Sequence, residues 1–389
     1  MAILVCGGAG YVGSHCLEGL RQAGFDCIVV DNLTRGHRAA VGDTPLYVGD
    51  ISDPAFMDQV FAEHSIEAVL HFAAASQVGE SMKDPLLYYE NNLCATVALL
   101  RAMERHDVKK IVFSSSAAVY GEPEITPIVE DSPKSPTNTY GETKLAMERL
   151  MHWCHTAYGL EYVSLRYFNA AGASPGGLIG EDHTPETHLI PLVLQAAQGK
   201  RESVSIFGTD YPTPDGTCIR DYIHTSDLAS AHRLALEYLL RGGRSEIFNL
   251  GSEHGLSVRE IVEAAREVTG VEFPVKLAPR RAGDPAVLIA SNRKAREVLG
   301  WVPRHSDAHT ILASAWKWHR DHPNPAHPQH HTDGAENPAH DHTACRQFLF
   351  ASGFLVSFTH NFPPSFFSPG SRSARDPSRA LSAPGGLWS

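Results

Sequence analysis

The feature that most constrains the fold is a glycine-rich loop placed directly after an N-terminal apolar run. Residues 2–6 read Ala-Ile-Leu-Val-Cys, which is typical of a buried strand, and Gly7, Gly10 and Gly13 follow with the spacing G-x-x-G-x-x-G. A helical pattern over residues 14–21 comes next. Glycines let such a loop approach a pyrophosphate, and the helix behind it presents unpaired N–H groups and the positive end of its dipole. The pattern predicts a dinucleotide-binding unit.

An acidic residue ends the second apolar run of this unit. Residues 27–30 are apolar and Asp31 follows them, about twenty residues after the loop. A carboxylate at this position can accept hydrogen bonds from both ribose hydroxyls and repels a 2′-phosphate. The sequence therefore predicts NAD, and not NADP, as the cofactor. We interpret the nearby Arg35 and Arg38 as surface charges.

Runs of strand length alternate with helical patterns through the first half of the chain. This alternation predicts an α/β fold with a Rossmann-type, doubly wound parallel sheet covered on both faces. Ligands of such sheets bind beyond the carboxyl ends of the strands, so the polar residues that end the runs should meet at one rim. The strand-like runs lie at 2–6, 27–30, 46–48, 68–72, 111–113 and 162–166, and helical patterns lie at 53–64, 85–106 and around Tyr140.

Tyr140 and Lys144 are four residues apart in a predicted helix and therefore share one face. A free tyrosine has a pKa near ~10 and is a poor base at neutral pH, whereas a lysine one turn away favours the phenolate. The hydroxyl-rich run 114–116 precedes the pair and should face the same nicotinamide. The set predicts proton exchange with a substrate hydroxyl. Alone, an exposed tyrosine and lysine on an amphipathic helix would be the simpler interpretation.

Taken together, these motifs resemble the extended short-chain dehydrogenase/reductase family. The narrower resemblance is to the UDP-glucose 4-epimerase family and covers about residues 1–320. The segments that match, in chain order, are 71–74, 78–81, 88–92, 114–121, 165–169, 180–182, 210–217, 220–224, 248–251 and 278–284.

The resemblance implies an isomerase that carries out NAD-dependent 4-epimerization of a UDP-hexose, UDP-glucose or UDP-galactose, through a transient 4-keto intermediate. It makes Tyr140 the acid/base at the sugar 4-hydroxyl, gives Ser116 a share in that hydrogen bond, and has Lys144 lower the tyrosine pKa while holding the nicotinamide ribose. The residues that it places against NAD are Gly7, Gly10, Tyr11, Val12, Gly13, Asp31, Asn32, Asp50, Ile51, Phe72, Ala73, Ala74, Asn91, Ser114, Tyr140, Lys144, Tyr167 and Phe168.

The resemblance also implies a UDP-sugar site. Its residues are Ser116, Asn169, Arg220, Arg281, Asp284 and Leu288. The arginines suit a diphosphate and the carboxylate suits hydroxyl groups. Leu288 stands where a bulky residue excludes N-acetylated sugars, which favours UDP-glucose and UDP-galactose.

Other functions remain open at this stage. The first is 4-epimerization of UDP-xylose/UDP-arabinose or of a UDP-N-acetylhexosamine. A sugar-nucleotide dehydratase would need an additional acid and base where Ala117 and Ala118 stand, and a non-catalytic nucleotide-binding protein would not need the intact set of Ser116, Tyr140 and Lys144.

One position departs from the family. Ser76 stands where many members carry a lysine that contacts the cofactor phosphates. A neutral hydroxyl replaces a cation, so the hold on the pyrophosphate depends more on the loop 7–13 and its helix.

The chain is long enough for more than one domain. We expect an NAD-binding Rossmann domain at 1–172, a mainly UDP-sugar-binding domain at 173–320 with some segments returning to the sheet, and a low-complexity, disordered tail at 321–389. The tail holds a cluster of five histidines and a phenylalanine-rich stretch. We predict no metal site from the histidines, because their spacing matches no structured site.

The composition limits which binding partners and which cellular compartment are expected. A net charge of −11 argues against nucleic acid as a partner. Seven cysteines without C-x-x-C spacing, and no signal peptide or apolar run of about 18 residues, favour a cytoplasmic protein that does not contact membranes. Apolar residues beyond one face of the helices at 85–106 and 139–155 predict a homodimer, as in the family that the chain resembles.

Overall fold

A computed structural model describes residues 1–183, 185–281 and 284–322. Its strands are β1 (Ala2–Cys6), β2 (Cys27–Asp31), β3 (Leu46–Val48), β4 (Ile66–His71), β5 (Lys110–Ser114), β6 (Glu161–Arg166), β7 (Asn169–Ala171), β8 (Val204–Phe207), β9 (Ile219–Arg220), β10 (Tyr222–His224), β11 (Glu246–Asn249), β12 (Leu256–Ser257), β13 (Val275–Ala278) and β14 (Val287–Leu288).

The helices connect and cover these strands. They are α1 (Tyr11–Gln22), α2 (Pro54–Glu63), α3 (Val78–Ser81), α4 (Pro85–Tyr88), α5 (Ala95–Arg105), α6 (Thr139–Tyr158), α7 (Leu189–Ala197), α8 (Thr225–Leu240), α9 (Val258–Thr269), α10 (Arg293–Leu299) and α11 (Ala308–Asp321). A π-helix spans Tyr89–Cys94, and 3₁₀ turns span Arg38–Val41 and Ala117–Tyr120.

The centre of the fold is a seven-stranded parallel sheet with the order β3-β2-β1-β4-β5-β6-β11. The predicted Rossmann-type, doubly wound fold is confirmed. The chain runs outward from β1 to β3 on one side and from β4 to β11 on the other, so a crevice opens between the carboxyl ends of β1 and β4. The glycine loop follows β1 directly at this crevice.

Alternate residues of each strand fill two cores, because side chains point to opposite faces of a sheet. In β1, Ile3 and Val5 join a core that also holds Leu17 of α1 and Leu236 of α8. Leu4 of the same strand joins a second core, formed with α2, α5 and α6. Burial on both faces is why these strands read as continuous apolar runs.

A third core lies apart from this sheet. It unites α7, α9 and α11 with β8 and β10 and includes Val193, Ile206 and Ile311. Three small sheets border it, in the orders β10-β7, β12-β9-β14 and β13-β8. The segments that carry Asn169, Arg220 and Leu288 belong to these small sheets.

The predicted continuous helix at 85–106 is interrupted. The helical path runs through α4, the π-helix and α5. The π turn contains Asn92, which is buried and hydrogen-bonds both backbone groups of Ala75 (2.7 and 3.0 Å) and the hydroxyl of Thr143 (3.1 Å). A π turn admits an extra residue into a helix, and here it accompanies an amide that ties the segment after β4 to α6.

The first helix starts three residues earlier than predicted, at Tyr11. The predicted tail lies outside the described residues beyond His322, and so do its histidine cluster and phenylalanine-rich stretch. Across the described ranges, no helix is long and apolar enough to cross a bilayer.

Candidate active site

Two glycines of the N-terminal loop have no room for a side chain. Gly7 has φ +80°, and a Cβ on it would lie 2.5 Å from the backbone nitrogen of Ala73. A Cβ on Gly13 would lie 2.1 Å from the carbonyl oxygen of Gly7. At Gly10 the nearest atom would be 3.4 Å away, which is ordinary contact. The backbone of the loop therefore packs closely on itself and on the segment after β4, so Gly7 and Gly13 cannot carry a side chain.

Asp31 lies beside this loop at the end of β2. Its carboxylate accepts hydrogen bonds from the backbone N–H groups of Ala9 (2.9 Å) and Leu33 (2.8 Å). Burial raises the pKa of Asp31, and these two N–H groups oppose the rise. Just after the neighbouring strand β3, Asp50 accepts a hydrogen bond from Asn32 (3.2 Å). The predicted ribose-side residues are thus gathered at one end of the sheet, with Ile51 buried beneath them.

The segment after β4 forms the other wall of the crevice. The backbone N–H groups of Phe72 and Ala73 donate to the carbonyl of Cys6, the last residue of β1 (2.8 and 3.0 Å). Ala74 follows and is half-buried, and Ser76 is exposed. Of the asparagine pair, Asn91 is exposed, while Asn92 makes the buried contacts described above.

The start of α1 contributes two more predicted residues. The Tyr11 hydroxyl donates to the carbonyl of Gly172 (2.6 Å), which joins the glycine loop to the strand β7 region. Val12 packs against the core beneath α1.

Ser116 and Tyr140 come together at the rim of the sheet. Ser116 lies two residues after the end of β5 and caps the following 3₁₀ turn by accepting a hydrogen bond from the N–H of Ala118 (3.1 Å). Tyr140, in the first turn of α6, shares a hydrogen bond with the Ser116 hydroxyl. Burial raises the pKa of Tyr140, and the Ser116 hydrogen bond partly offsets the rise. The net shift is therefore opposite to the predicted lowering by Lys144.

Burial of Tyr140 is the main cause of the rise in its pKa, and Lys144 does little to offset it. Its ammonium is buried, donates to the carbonyl of Ser114 (2.8 Å), and lies 5.8 Å from the centre of the Tyr140 ring. Burial lowers the pKa of Lys144 to about 7, against the opposing attraction of Glu148. A lysine that is only partly charged at neutral pH stabilises a phenolate weakly.

Tyr167 and Phe168 bring the end of β6 to the same rim. The hydroxyls of Tyr167 and Ser114 are 2.6 Å apart, and the Tyr167 carbonyl accepts from the N–H of Ala117 (2.9 Å). Phe168 packs on a small apolar cluster that contains Ala117 and Tyr120.

A buried polar network beneath these residues was missed by the sequence analysis. Glu148 and Arg166 form a buried ion pair (2.6 Å), and Glu148 also accepts from the Ser115 hydroxyl (2.6 Å). Arg166 donates to the Tyr120 hydroxyl (2.7 Å), which donates to Asn249 (2.7 Å). The sequence held one indication of this network, because Glu148 lies four residues after Lys144 and eight after Tyr140 and so shares their face of α6.

Four of the predicted substrate residues line one cavity of about 300 Å³: Asn169, Arg220, Arg281 and Asp284. Arg220 forms an ion pair with Asp284, and the Arg281 guanidinium lies over the Phe207 ring, 4.0 Å from its centre. The Asn169 side chain donates to the carbonyl of Asp221 (2.9 Å). The cavity thus presents two guanidinium groups, a carboxylate and an amide.

Leu288 lies between this cavity and the Ser116 region. It pairs in register with Arg220 and packs on the cluster of Ala117 and Tyr120. The cavity is also lined by residues that the sequence analysis did not select, among them Thr187, His188, Leu189, Phe207 and Tyr222. Their position just before α7 and along small strands gave no pattern in the sequence that would have singled them out.

Comparison with known proteins decides the family. The profile of the NAD dependent epimerase/dehydratase family matches residues 3–251. The chain belongs to this family.

Its relatives are similar over nearly their whole length. A UDP-glucose 4-epimerase of Halalkalibacterium halodurans is 59% identical over 323 residues, which are 83% of this chain and 97% of the relative. A crystal structure of a UDP-glucose 4-epimerase superposes with a TM-score of 0.83 at 55% identity and covers 84% of this chain and 100% of its own. A UDP-glucose 4-epimerase from Brucella ovis, solved in complex with NAD, gives a TM-score of 0.80 at 46% identity, over 81% and 97% of the two chains.

Proposed function

We propose that this chain catalyses NAD-dependent 4-epimerization of a UDP-hexose and interconverts UDP-glucose and UDP-galactose. The observation that carries the proposal is the convergence of Ser116, Tyr140 and Lys144 at the rim of the sheet. They lie in a chain whose relatives, at up to 59% identity, are UDP-glucose 4-epimerases.

The residues present fit NAD. Gly7 and Gly13 allow a tight turn at the start of α1, where the free N–H groups of the helix can bind a pyrophosphate, and we assign the Asp31 carboxylate beside this turn to the ribose hydroxyls. We assign Lys144 and Ser114, which are joined by a hydrogen bond, to the nicotinamide side of the same rim. When bound, NAD supplies the hydride acceptor and donor for sugar C4.

The chain's own residues handle the proton. Tyr140 takes the proton of the sugar 4-hydroxyl as the 4-keto intermediate forms and returns it when the hydroxyl is restored, so no net oxidation occurs. Ser116, which hydrogen-bonds Tyr140, shares this exchange. Glu148 joins α6, which carries Tyr140, to the segment of Ser116 through the Ser115 hydroxyl and to β6 through Arg166.

The UDP moiety is assigned to the cavity of Asn169, Arg220, Arg281 and Asp284. The guanidinium groups suit the diphosphate, and Asp284 can exchange its contact with Arg220 for substrate hydroxyls. Leu288, between the cavity and Ser116, is assigned to the sugar pocket. Because leucine still fills much of that space, we expect weaker activity on N-acetylated sugars.

Further parts of the proposal concern the whole protein. We assign a homodimer, supported by a group of exposed apolar residues on α3, α4 and α6: Val78, Met82, Leu86, Leu87 and Trp153. A cytoplasmic location, the UDP-sugar as partner, and the division at 172/173 are part of the same proposal and rest on the sequence.

The test is conversion of sugar nucleotides followed by NMR. The purified full chain with NAD is given UDP-galactose, and we expect UDP-glucose to accumulate to equilibrium without net NADH. A second arm uses UDP-N-acetylgalactosamine, for which we expect a lower kcat/KM, by a factor that corresponds to about 1–3 kcal/mol. No conversion of either substrate would refute the proposal, and equal kcat/KM values would refute only the role of Leu288.

A further inference from the structure

Four side chains that can bind a metal converge just before α7. One oxygen or ring nitrogen from each of Glu181, His183, Glu186 and His188 lies within 4.8 Å of the others. None of the four was selected from the sequence, and the proposed epimerization assigns no role to the cluster. Two imidazoles and two carboxylates are a ligand set that zinc and similar ions accept, and Glu181 and Glu186 raise the pKa of His188 to about 10, so a metal ion would displace its proton.

The separations between the ligand atoms fit a small tetrahedral site. Ligands about 2.0–2.2 Å from a zinc ion lie roughly 3.4 Å from one another. Glu181 Oε1 is 2.6 Å from His188 Nδ1 and 3.2 Å from His183 Nδ1. The Glu186 carboxylate is 3.4 Å from His188 Nδ1 and 3.8 Å from His183 Nδ1. Small movements would place an ion at the centre of all four.

Two of these atoms are buried without a satisfied hydrogen bond. The Glu181 side chain is 5% exposed, and among the described residues its Oε1 has the Nδ1 atoms of His188 (2.6 Å) and His183 (3.2 Å) as ion-pair partners, neither aligned as a hydrogen-bond donor. The Nδ1 of His183 is likewise buried and unsatisfied within that set. The two atoms are close but are not directed at each other as donor and acceptor. His183 and His188 lower the pKa of the buried Glu181 carboxylate against the effect of burial, so the pocket already favours positive charge beside this oxygen, and a metal cation at the centre of the cluster would supply it.

Neighbouring groups orient two of the ligands. The Glu186 carboxylate accepts from the backbone N–H groups of Thr187 (2.7 Å) and His188 (2.8 Å). The His183 ring meets the Tyr11 ring edge-to-face, with 6.0 Å between centres. Such outer contacts fix ligand orientation in metal sites.

We propose that Glu181, His183, Glu186 and His188 bind one divalent transition-metal ion of the zinc class. All four tetrahedral positions come from the protein, so the ion has a structural role. Because Glu181 and His188 also line the cavity of Arg220 and Asp284, the ion fixes one wall of that cavity. Mg²⁺ is not the expected ion, since it prefers octahedral oxygen ligands.

The test is metal content and cobalt spectroscopy on the purified full chain. After chelation and dialysis, the chain is loaded with Co²⁺, and metal per chain is measured by mass spectrometry. We expect one tightly held equivalent with the intense visible absorption of tetrahedral Co²⁺, displaced by Zn²⁺. His183→Ala and Glu186→Gln should each abolish that absorption while circular dichroism stays unchanged. Two variants are used so that the test still holds if one of them does not fold.

Two controls locate the ion. His309→Ala removes a histidine that pairs with a glutamate elsewhere on the surface (3.1 Å from Glu267) and should keep the spectrum. Replacing the tail histidines at 327, 330, 331, 340 and 342 by alanine should also keep it. Absence of a tightly held equivalent, its loss in the tail variant, or its persistence in both cluster variants would overturn the proposal and leave the cluster as an ion pair.

Discussion

At the scale of single residues, the chemistry depends on Tyr140. We expect Tyr140→Phe to lower kcat by at least the ~100-fold typical of a lost general acid/base, because the variant keeps the ring and loses only the exchangeable proton. Binding of UDP, measured by calorimetry, should change little. Tyr238→Phe, which alters a tyrosine of α8 beside Phe248, is the matched control. Near-normal turnover of Tyr140→Phe would remove the residue from its assigned role.

Lys144 gives a prediction for pH. Burial lowers its pKa from 10.5 to about 7 in the folded chain, so between these values the unfolded chain binds more protons. The contribution of Lys144 to the free energy of unfolding therefore rises with pH from about 7 to 10.5, and charging the amine below pH 7 costs the most.

Lys144→Met removes this pH-dependent cost. In cofactor-free protein, the Tm of the variant minus the Tm of the parent should be largest near pH 6.5 and should decrease steadily toward pH 10. Lys83→Met, an exposed lysine, controls for loss of a surface amine. A difference in Tm that stays constant across this range would contradict the burial argument.

Asp31 should decide the choice of cofactor. If Asp31 binds the ribose as proposed, its carboxylate would repel a 2′-phosphate, so we expect NADP to bind more weakly than NAD to cofactor-stripped protein, as measured by calorimetry. A second series of the same experiment uses the exposed Ser76. Ser76→Lys should raise the affinity for NAD because it restores a cation, whereas Ser76→Met should not. Equal affinities for the two dinucleotides would refute the role of Asp31.

At the scale of elements, the turn between β1 and α1 has little room for added side-chain atoms. A methyl group on Gly13 would meet backbone atoms of Gly7 that cannot move aside alone. We expect Gly13→Ala to lower the free energy of unfolding by about 1–3 kcal/mol and to weaken NAD binding. Gly79→Ala in α3, where a Cβ meets nothing within 4 Å, is the control. Chemical denaturation and calorimetry measure both effects, and an unaffected Gly13→Ala would show that the loop adapts.

The same turn shows why much of the fold could be predicted. β1, β2 and β4 are buried on both faces, so they read as unbroken apolar runs, and the glycines mark the turn. The π turn at Asn92 could not be predicted, because its cause is a contact with Ala75, distant in sequence. The direction of the Tyr140 pKa shift was also missed, since its main cause, burial of Tyr140 itself, is a property of packing, as is the burial of Lys144.

At the scale of the whole molecule, the candidate site joins regions that are far apart in the chain. Ser116 and Tyr140 belong to the parallel sheet and its helix, whereas Arg220 and Leu288 meet through the pairing of β9 with β14. Short strands of two residues carry too little pattern to predict such pairing. The family resemblance, and not periodicity, was therefore the source of the predicted substrate residues.

Assembly gives the last prediction. Several apolar residues of the two helices on which the dimer was predicted pack against the chain's own sheet, among them Leu99, Met147 and Met151. Leu86 and Trp153 remain 71% and 66% exposed, and α4 packs beside α6, so the two lie on neighbouring elements. Exposed apolar groups of this size mark association surfaces.

We therefore expect light scattering to give twice the mass of the chain at micromolar concentration. The double variant Leu86→Glu with Trp153→Glu should be monomeric, because each dimer would otherwise bury four carboxylates in an apolar interface. Leu277→Glu, at an equally exposed leucine (67%) on β13, should leave the dimer intact. A monomeric parent chain would refute the dimer, and a dimer that survives the double variant would place its interface on another surface.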